Sequence, residues 1–254
     1  MHRPTLRYHE FEQRCRHEWR HCHDDAVHAF LDGLVTSAAQ HEWVVQPTDV
    51  LWRAQLGCDE ERTPSLDEEG GTLDVAVAFD ASRMMPSPGH SSDGRVSPRG
   101  IATLYTATDE ATAVSEVRPH VGAAVTVSQM QPTRNLRVVD CHSRHGESAF
   151  FGISGRDPMA EAWVALNRAF ARPLYDLART DLYAPTQIVS EWFRRAGFDG
   201  VAFKSSLGPG KNVAVFDPTT AKPITGQVVD VRSITVHYES TCLQRGWRLA
   251  CEEP

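Results

Sequence analysis

The sequence has no long hydrophobic run. None of its apolar stretches approaches the roughly 18 residues that a membrane-spanning helix needs, so we expect no membrane span. The first ten residues are polar and contain no apolar segment of the kind found in a signal peptide. We therefore expect a cytoplasmic protein.

The chain also lacks an excess of positive charge and a dense set of cysteines. It has 26 Lys and Arg against 33 Asp and Glu. The resulting net charge of -7 argues against a direct nucleic-acid partner, because phosphate binding needs clustered cations. The cysteines are scattered, and in a non-secreted chain of this size we expect free thiols. They are Cys15, Cys22, Cys58, Cys141, Cys242 and Cys251.

Residues 1–46 differ from the rest of the chain and are interpreted as an N-terminal helical extension. A loose helical period through Phe11, Trp19 and Phe30 predicts one or two helices packed on the main body. Its histidines and one cysteine suggest zinc, but the ligand spacing of a closed zinc site is missing, so we predict no metal. The residues concerned are His17, His21, Cys22, His23 and His28.

Residues 47–240 are predicted to form the main domain, followed by a C-terminal tail, 241–254. Predicted strands outnumber helices and do not alternate regularly with them, which favours an α+β fold with a mixed β core and flanking helices. Turn-rich composition predicts loops at 58–71 and 85–98. The predicted helices are 109–118, 158–171 and 185–196, and the predicted strands are 101–107, 122–130, 135–140, 200–205, 212–217 and 227–238.

Glu116 is a candidate catalytic carboxylate. The helix predicted after the strand 101–107 has an apolar stripe, and Glu116 flanks it, about 60° around the helix from Ala113. A carboxylate in that position is partly dehydrated, as catalytic acids and cation stabilisers commonly are. The same position also fits a boundary glutamate that pairs with Arg118.

Two arginines precede Glu116 at the edges of predicted elements. Arg53 lies on a short strand, Leu51-Trp52-Arg53-Ala54, and Arg95 follows Gly94 just before the strand that contains Tyr105. Guanidinium groups bind phosphate oxygens in a bidentate manner, so the pair suits a phosphate or diphosphate ligand. An Arg53 that merely caps a surface strand fits the local pattern equally well.

Ser205 and Ser206 end a late predicted strand. The following Gly208-Pro209-Gly210-Lys211 segment is not a phosphate-binding P-loop, because a strand rather than a helix follows it. Neither serine lies in a GxSxG motif, so a hydrolase nucleophile is not indicated. A hydroxyl here either binds a ligand or bonds to its own backbone in a turn.

Taken in order, these segments resemble the RES-domain family, named for an Arg, a Glu and a Ser. The similarity covers roughly residues 47–238. Where the family often has an aromatic residue and an Asn after Gly-Arg, this chain has Val96 and Ser97, so no role of that pair carries over. The matching segments are 51–54, 94–105, 113–117, 183–187, 196–205 and 210–216.

The resemblance implies a fold similar to ADP-ribosyltransferase toxins and an activity on NAD. Family members are toxins of toxin–antitoxin pairs that degrade NAD, several by phosphorolysis with inorganic phosphate as co-substrate, and an Xre-type antitoxin silences them. Others are described as ADP-ribosylating a protein. The expected activity is thus NAD phosphorolysis or hydrolysis, with a protein ADP-ribosyltransferase and an inactive NAD-binding module as alternatives.

The resemblance also implies roles for the candidate residues. Glu116 would stabilise the cation that develops when the nicotinamide–ribose bond breaks. Arg53 would hold the diphosphate or the attacking phosphate, with Arg95 as a second cation. Tyr105 would stack on nicotinamide or pack beside the ribose, and Ser205, or else its neighbour Ser206, would bind the nicotinamide ribose or amide.

Overall fold

The computed structural model describes residues 6–64, 72–89, 91–142, 157–172 and 180–236. These segments contain five α-helices and ten strands. The helices are α1 (Tyr8–His17), α2 (Asp25–Ala38), α3 (Glu110–Glu116), α4 (Pro158–Ala171) and α5 (Ala184–Arg195). The strands are β1 (Glu42–Val45), β2 (Leu51–Leu56), β3 (Asp59–Pro64), β4 (Thr72–Val77), β5 (Leu104–Ala107), β6 (Ala124–Pro132), β7 (Leu136–Asp140), β8 (Gly200–Lys204), β9 (Lys211–Val215) and β10 (Ala221–Asp230).

Eight strands form one mixed sheet in the order β1-β7-β8-β9-β5-β2-β6-β10. Adjacent strands of this sheet are antiparallel, except for β7 and β8, which are parallel. Within the described residues, β2 and β5 share a single residue pair, Trp52 with Ala107. Both strands pair far more extensively with their other neighbours, β6 and β9. The predicted α+β fold is confirmed, and its sheet is split near the middle.

The sheet has two buried apolar faces because side chains alternate along its strands. Val201 and Phe203 of β8 face the core beneath the helices, where the ring of Phe203 stacks on Phe170 at 5.3 Å. Ala202 and Val213 face a smaller core on the other side. Gly197, at φ 86°, ends α5, and Asp157 caps α4 at Pro158, as the sequence predicts.

The N-terminal helices belong to the same core as the sheet. Apolar side chains of α1 and α2 pack with those of α4 and α5 in one cluster. Trp163 of α4 stacks on His41 at a centroid distance of 3.9 Å, and its indole Nε1 donates a hydrogen bond to Ser37 Oγ at 2.9 Å. The predicted helical extension is therefore confirmed as a packed layer. None of the helices in the described ranges is long and apolar enough to cross a membrane.

Two sequence-based boundaries are wrong. The acidic segment 58–71, predicted as a loop, contains β3, which pairs with β4 in a separate exposed two-stranded sheet. Pairing along the whole of β3 overrides the turn-like composition. Among the described residues the last strand is β10, Ala221–Asp230, whereas the prediction was 227–238. It lies at the edge of the described sheet, where Pro223, which has no N–H to donate, is tolerated. The predicted tail, 241–254, lies outside the described residues.

The bond between Trp163 and Ser37 gives a stability prediction. Ser37→Ala leaves a buried indole N–H unpaired and is expected to lower the free energy of unfolding by about 1–3 kcal/mol. Thr36→Ala is the matched control, because Thr36 is exposed and its hydroxyl donates to Asp32 O of its own helix. Urea unfolding measures both. Equal effects of the two substitutions would contradict a structural role for the contact between helices.

Candidate active site

A cavity of about 370 Å³ lies where the sheet splits between β2 and β5. After the pair of Trp52 and Ala107 the two strands separate, which leaves room between them. Side chains from both halves of the sheet and from α3 line the cavity. They include Arg53, Arg95, Tyr105, Glu116 and Asn212.

Glu116, the last residue of α3, is held by two donors on one of its oxygens. Ser205 Oγ donates to Glu116 Oε1 at 2.6 Å, and Asn212 Nδ2 donates to the same oxygen at 2.7 Å. In the described part of the chain, Oε2 has no hydrogen-bond partner. The carboxylate is thus fixed in orientation and keeps one oxygen for a ligand in the cavity.

Ser205 is itself fixed, which makes it a positioning residue. Its Oγ accepts hydrogen bonds from the N–H groups of Leu207 at 3.0 Å and Gly208 at 2.8 Å. Because a hydroxyl has one proton, these two bonds direct that proton to Glu116. The hydroxyl of Ser205 therefore bonds to the backbone of its own turn and also to Glu116 in the site.

The loop after Ser205 is tied to the start of α3. Asp109 caps that helix, and its Oδ2 accepts from the hydroxyls of Thr108 and Thr112. These hydroxyls in turn accept from Lys211 N at 3.0 Å and Gly210 N at 2.8 Å. A Cβ on Gly210 would overlap Asp109 and Thr108, so only glycine fits this approach. The glycines of the segment that resembles a phosphate loop therefore allow this close packing.

Arg53 bridges the split in the sheet. Its Nη1 donates to the backbone oxygen of Tyr105 at 2.9 Å, where a continuous β-ladder would have supplied a backbone donor. Within the described segments, its buried Nε has no hydrogen-bond partner. Burial lowers the pKa of Arg53 to about 10. Among the described residues no carboxylate lies within ion-pair distance, so the guanidinium is a half-buried cation suited to an anionic ligand.

Tyr105 organises the segment that forms one cavity wall. Its hydroxyl accepts from Val96 N at 3.1 Å, and burial raises its pKa, which keeps the hydroxyl protonated. The hydroxyl passes so close to Gly94 that a Cβ there would overlap it. Gln187 Nε2 donates to Gly94 O at 2.8 Å, and Arg20 donates to Gln187 Oε1 at 2.8 Å. A chain of hydrogen bonds therefore connects Arg20, in the segment between α1 and α2, to the cavity wall.

Arg95 lies at the boundary between this cavity and a second, larger one. Its Nη1 donates to the backbone oxygen of Phe170 near the end of α4. Burial is the main influence and lowers the pKa of Arg95, while Tyr183 and Glu116 raise it. Arg95 and Tyr183 line both cavities. Arg95, which the sequence predicts as a second cation, thus lines the candidate site and also the adjoining cavity.

The structure brings five of the six predicted site residues together. Ser205 is buried on Glu116, whereas Ser206 is exposed in the turn and does not line the cavity. The hydroxyl of Ser205 faces the carboxylate rather than open space, which favours orientation of Glu116 over direct ligand binding.

Asn212 and Gln187 were missed in the sequence. A signal for Asn212 existed, because it is a polar residue that begins the buried apolar run Val213-Ala214-Val215. Gln187 is one buried amide on an otherwise ordinary helix, and nothing in its local pattern connects it to Gly94. Contacts between distant segments decide such roles.

The histidines of the N-terminal extension have other contacts. His28 stacks on Trp192 at 5.6 Å, and His23 lies edge-on to His28 at 6.3 Å. Over the described ranges, no group of three or more His, Cys, Asp or Glu side chains is arranged to hold a metal ion. Cys15, Cys22, Cys58 and Cys141 are free thiols, and the other two cysteines lie outside the described residues.

Comparison with known proteins assigns a family. A family model described as RES domain matches residues 72–238, a range that includes Glu116, Ser205 and Asn212 but not Arg53. No curated protein matches the chain. One similar solved structure is the crystal structure of the M. tuberculosis MbcT–MbcA toxin–antitoxin complex, at 16% identity and a TM-score of 0.39, over 79% of this chain and 93% of that chain.

The half-buried guanidinium of Arg53, which faces no carboxylate in the part of the chain that the structure describes, predicts stabilisation by a small anion. Inorganic pyrophosphate at roughly 100 times its Kd is expected to stabilise the protein by about 2.7 kcal/mol. Arg53→Gln should remove this effect, whereas Arg62→Gln, on the exposed strand β3, should retain it. Thermal unfolding at constant ionic strength is the measurement. Equal stabilisation of both variants would place the anion elsewhere.

Proposed function

The chain belongs to the RES-domain family, and we propose that it is an NAD-degrading toxin. The proposed reaction breaks the bond between nicotinamide and ribose and transfers the ADP-ribosyl group to inorganic phosphate or to water. The family resemblance is the reason for proposing NAD as the substrate. The geometry of the cavity supports the proposed cleavage of the bond.

The arrangement around Glu116 carries the proposal. A carboxylate with one oxygen fixed by Ser205 and Asn212, and the other left for a ligand, is preorganised to face a developing positive charge. Breaking the glycosidic bond produces such a charge at C1′ of the ribose. The carboxylate does not have to reorient during the reaction, and no covalent bond to the protein is needed.

The proposed step balances without a further reactant. The C1′–N1 bond of NAD breaks, and its electron pair neutralises the pyridinium ring, which leaves as nicotinamide. A phosphate oxygen forms the new bond to C1′ and gives ADP-ribose-1″-phosphate. With water as acceptor, the same step gives ADP-ribose and one proton. Tyr105 lines the cavity, where its ring can pack beside the nicotinamide or the ribose.

Phosphate is the acceptor that the charge distribution favours. Arg53 and Arg95 both line the cavity. One guanidinium can hold the diphosphate of NAD while the other attracts the attacking phosphate. Water would need no second cation. We therefore propose phosphorolysis first, with hydrolysis as the alternative outcome of the same assay.

In the cell this activity would need a silencing partner. Loss of NAD stops growth, so the proposed toxin requires an antitoxin, and the family resemblance suggests one of the Xre type. Such a protein would act by covering the cavity or by displacing one of its walls.

Incubation of the pure protein with NAD, with and without inorganic phosphate, tests the reaction. ADP-ribose-1″-phosphate formed only with phosphate is the expected result, and mass spectrometry identifies the products. Glu116→Gln should lower kcat by about 100-fold or more, since preorganised electrostatic groups commonly contribute that much. Glu110→Gln is the control, because Glu110 begins the same helix and bonds to Gln227 instead.

The other outcomes separate the alternatives. Free ADP-ribose in both conditions indicates hydrolysis, and label found only on protein indicates an ADP-ribosyltransferase. If intact protein consumes no NAD under any condition, the enzymatic proposal fails and a binding module remains.

Expression in a bacterial host tests the toxin role. Growth should stop on induction, and Glu116→Ala or Ser205→Ala should relieve the arrest because each disrupts the oriented carboxylate. Ser206→Ala should remain toxic, since Ser206 is exposed and outside the cavity. Immunoblots confirm equal soluble amounts. Normal growth with abundant soluble wild-type protein would refute the role.

A further inference from the structure

A second cavity, of about 660 Å³, adjoins the candidate active site. It lies between the start of α1, one face of α4 and the residues just before α5. Arg95 and Tyr183 line both cavities and therefore form a border that the two share. A ligand that extends past them would occupy both.

The charge of the second cavity is opposite to that of the whole protein. The chain carries a formal net charge of -7, yet the residues that line this cavity have a surplus of two positive charges. A local positive field on an acidic protein favours an anionic ligand. The charged lining residues are Arg7, Arg95, Arg168 and Arg172 against Glu12 and Glu161.

The floor of the cavity is apolar and made of small side chains. Ala162, Ala165 and Ala169 recur along one face of α4, and Leu182 lies beside them in the lining. A flat planar group can pack on such a floor while arginines at its rim hold a phosphate. A nucleotide combines these two features.

We infer that the second cavity binds the adenosine-phosphate half of the dinucleotide, with the diphosphate near Arg95. The inference rests on the proposed function for the nicotinamide half. The site cavity, at about 370 Å³, is near the lower end of the 300–1,000 Å³ range of ligand pockets, so a dinucleotide needs additional room. The adjoining cavity provides that room. Arg95, at the border of the two cavities, would then lie beside the diphosphate of the ligand.

Titration calorimetry with ADP, which lacks the nicotinamide riboside, tests the inference. Wild-type protein should bind ADP, and Arg168→Glu should weaken binding by about tenfold or more, as expected for loss of a charge-assisted contact. Arg194→Glu is the matched control, because Arg194 is also exposed in the last turn of a helix but lies outside both cavities. It makes the same change in net charge.

The kinetic counterpart is the KM for NAD. Arg168→Glu should raise this KM about tenfold, because a loss of about 1.4 kcal/mol in binding free energy weakens binding tenfold. Arg194→Glu should leave it unchanged. Absence of ADP binding, or equal binding by Arg168→Glu and wild type, would overturn the inference. The latter result would mean that the diphosphate alone binds, at Arg53.

Failure of the inference is separable from failure of the proposed function. If NAD is consumed but Arg168→Glu behaves as wild type in both measurements, only the inference fails. If NAD is not consumed but ADP binds and Arg168→Glu weakens it, the second cavity is a nucleotide site and the proposed reaction is wrong. A loss of stability in Arg168→Glu without loss of ADP binding would show a purely structural arginine and also overturn the inference.

Discussion

The break in the sheet between β2 and β5 is the constraint on which the site depends. Backbone groups beside the single pair of Trp52 and Ala107 lack a continuous ladder, and buried polar groups need partners. Arg53 supplies one by donating to the oxygen of Tyr105. The same separation opens the cavity, so the arginine that donates to Tyr105 is also a half-buried cation that lines it. The side chain of Arg53 therefore has a structural role in the sheet and also lines the candidate site.

On one side of the break, the site is rigid because its parts bond to one another. The loop from Ser205 to Lys211 is tied to the start of α3 through Asp109, while Ser205 and Asn212 hold the end of that helix at Glu116. A short helix of seven residues is therefore fixed at both ends. This explains how a carboxylate on so short an element keeps a defined orientation.

The N-terminal helices are connected to the site rather than appended to it. Arg20 bonds to Gln187, which bonds to Gly94 in the cavity wall, and Arg16 pairs at 3.0 Å with Asp181, two residues before Tyr183. Each contact positions a residue that borders the cavities. The position of α1 is therefore connected to both cavity walls through these contacts.

The sequence by itself determined the fold class, most of the elements and the three segments that contain Arg53, Glu116 and Ser205, because periodicity, caps and turn residues are local signals. It left the role of each residue open, since a boundary glutamate or a turn serine has the same local pattern as a functional one. Tertiary structure decided that Ser205 rather than Ser206 meets Glu116, and that Asn212 and Gln187 take part. These facts depend on hydrogen bonds between segments about 90 to 100 residues apart, which no local pattern encodes.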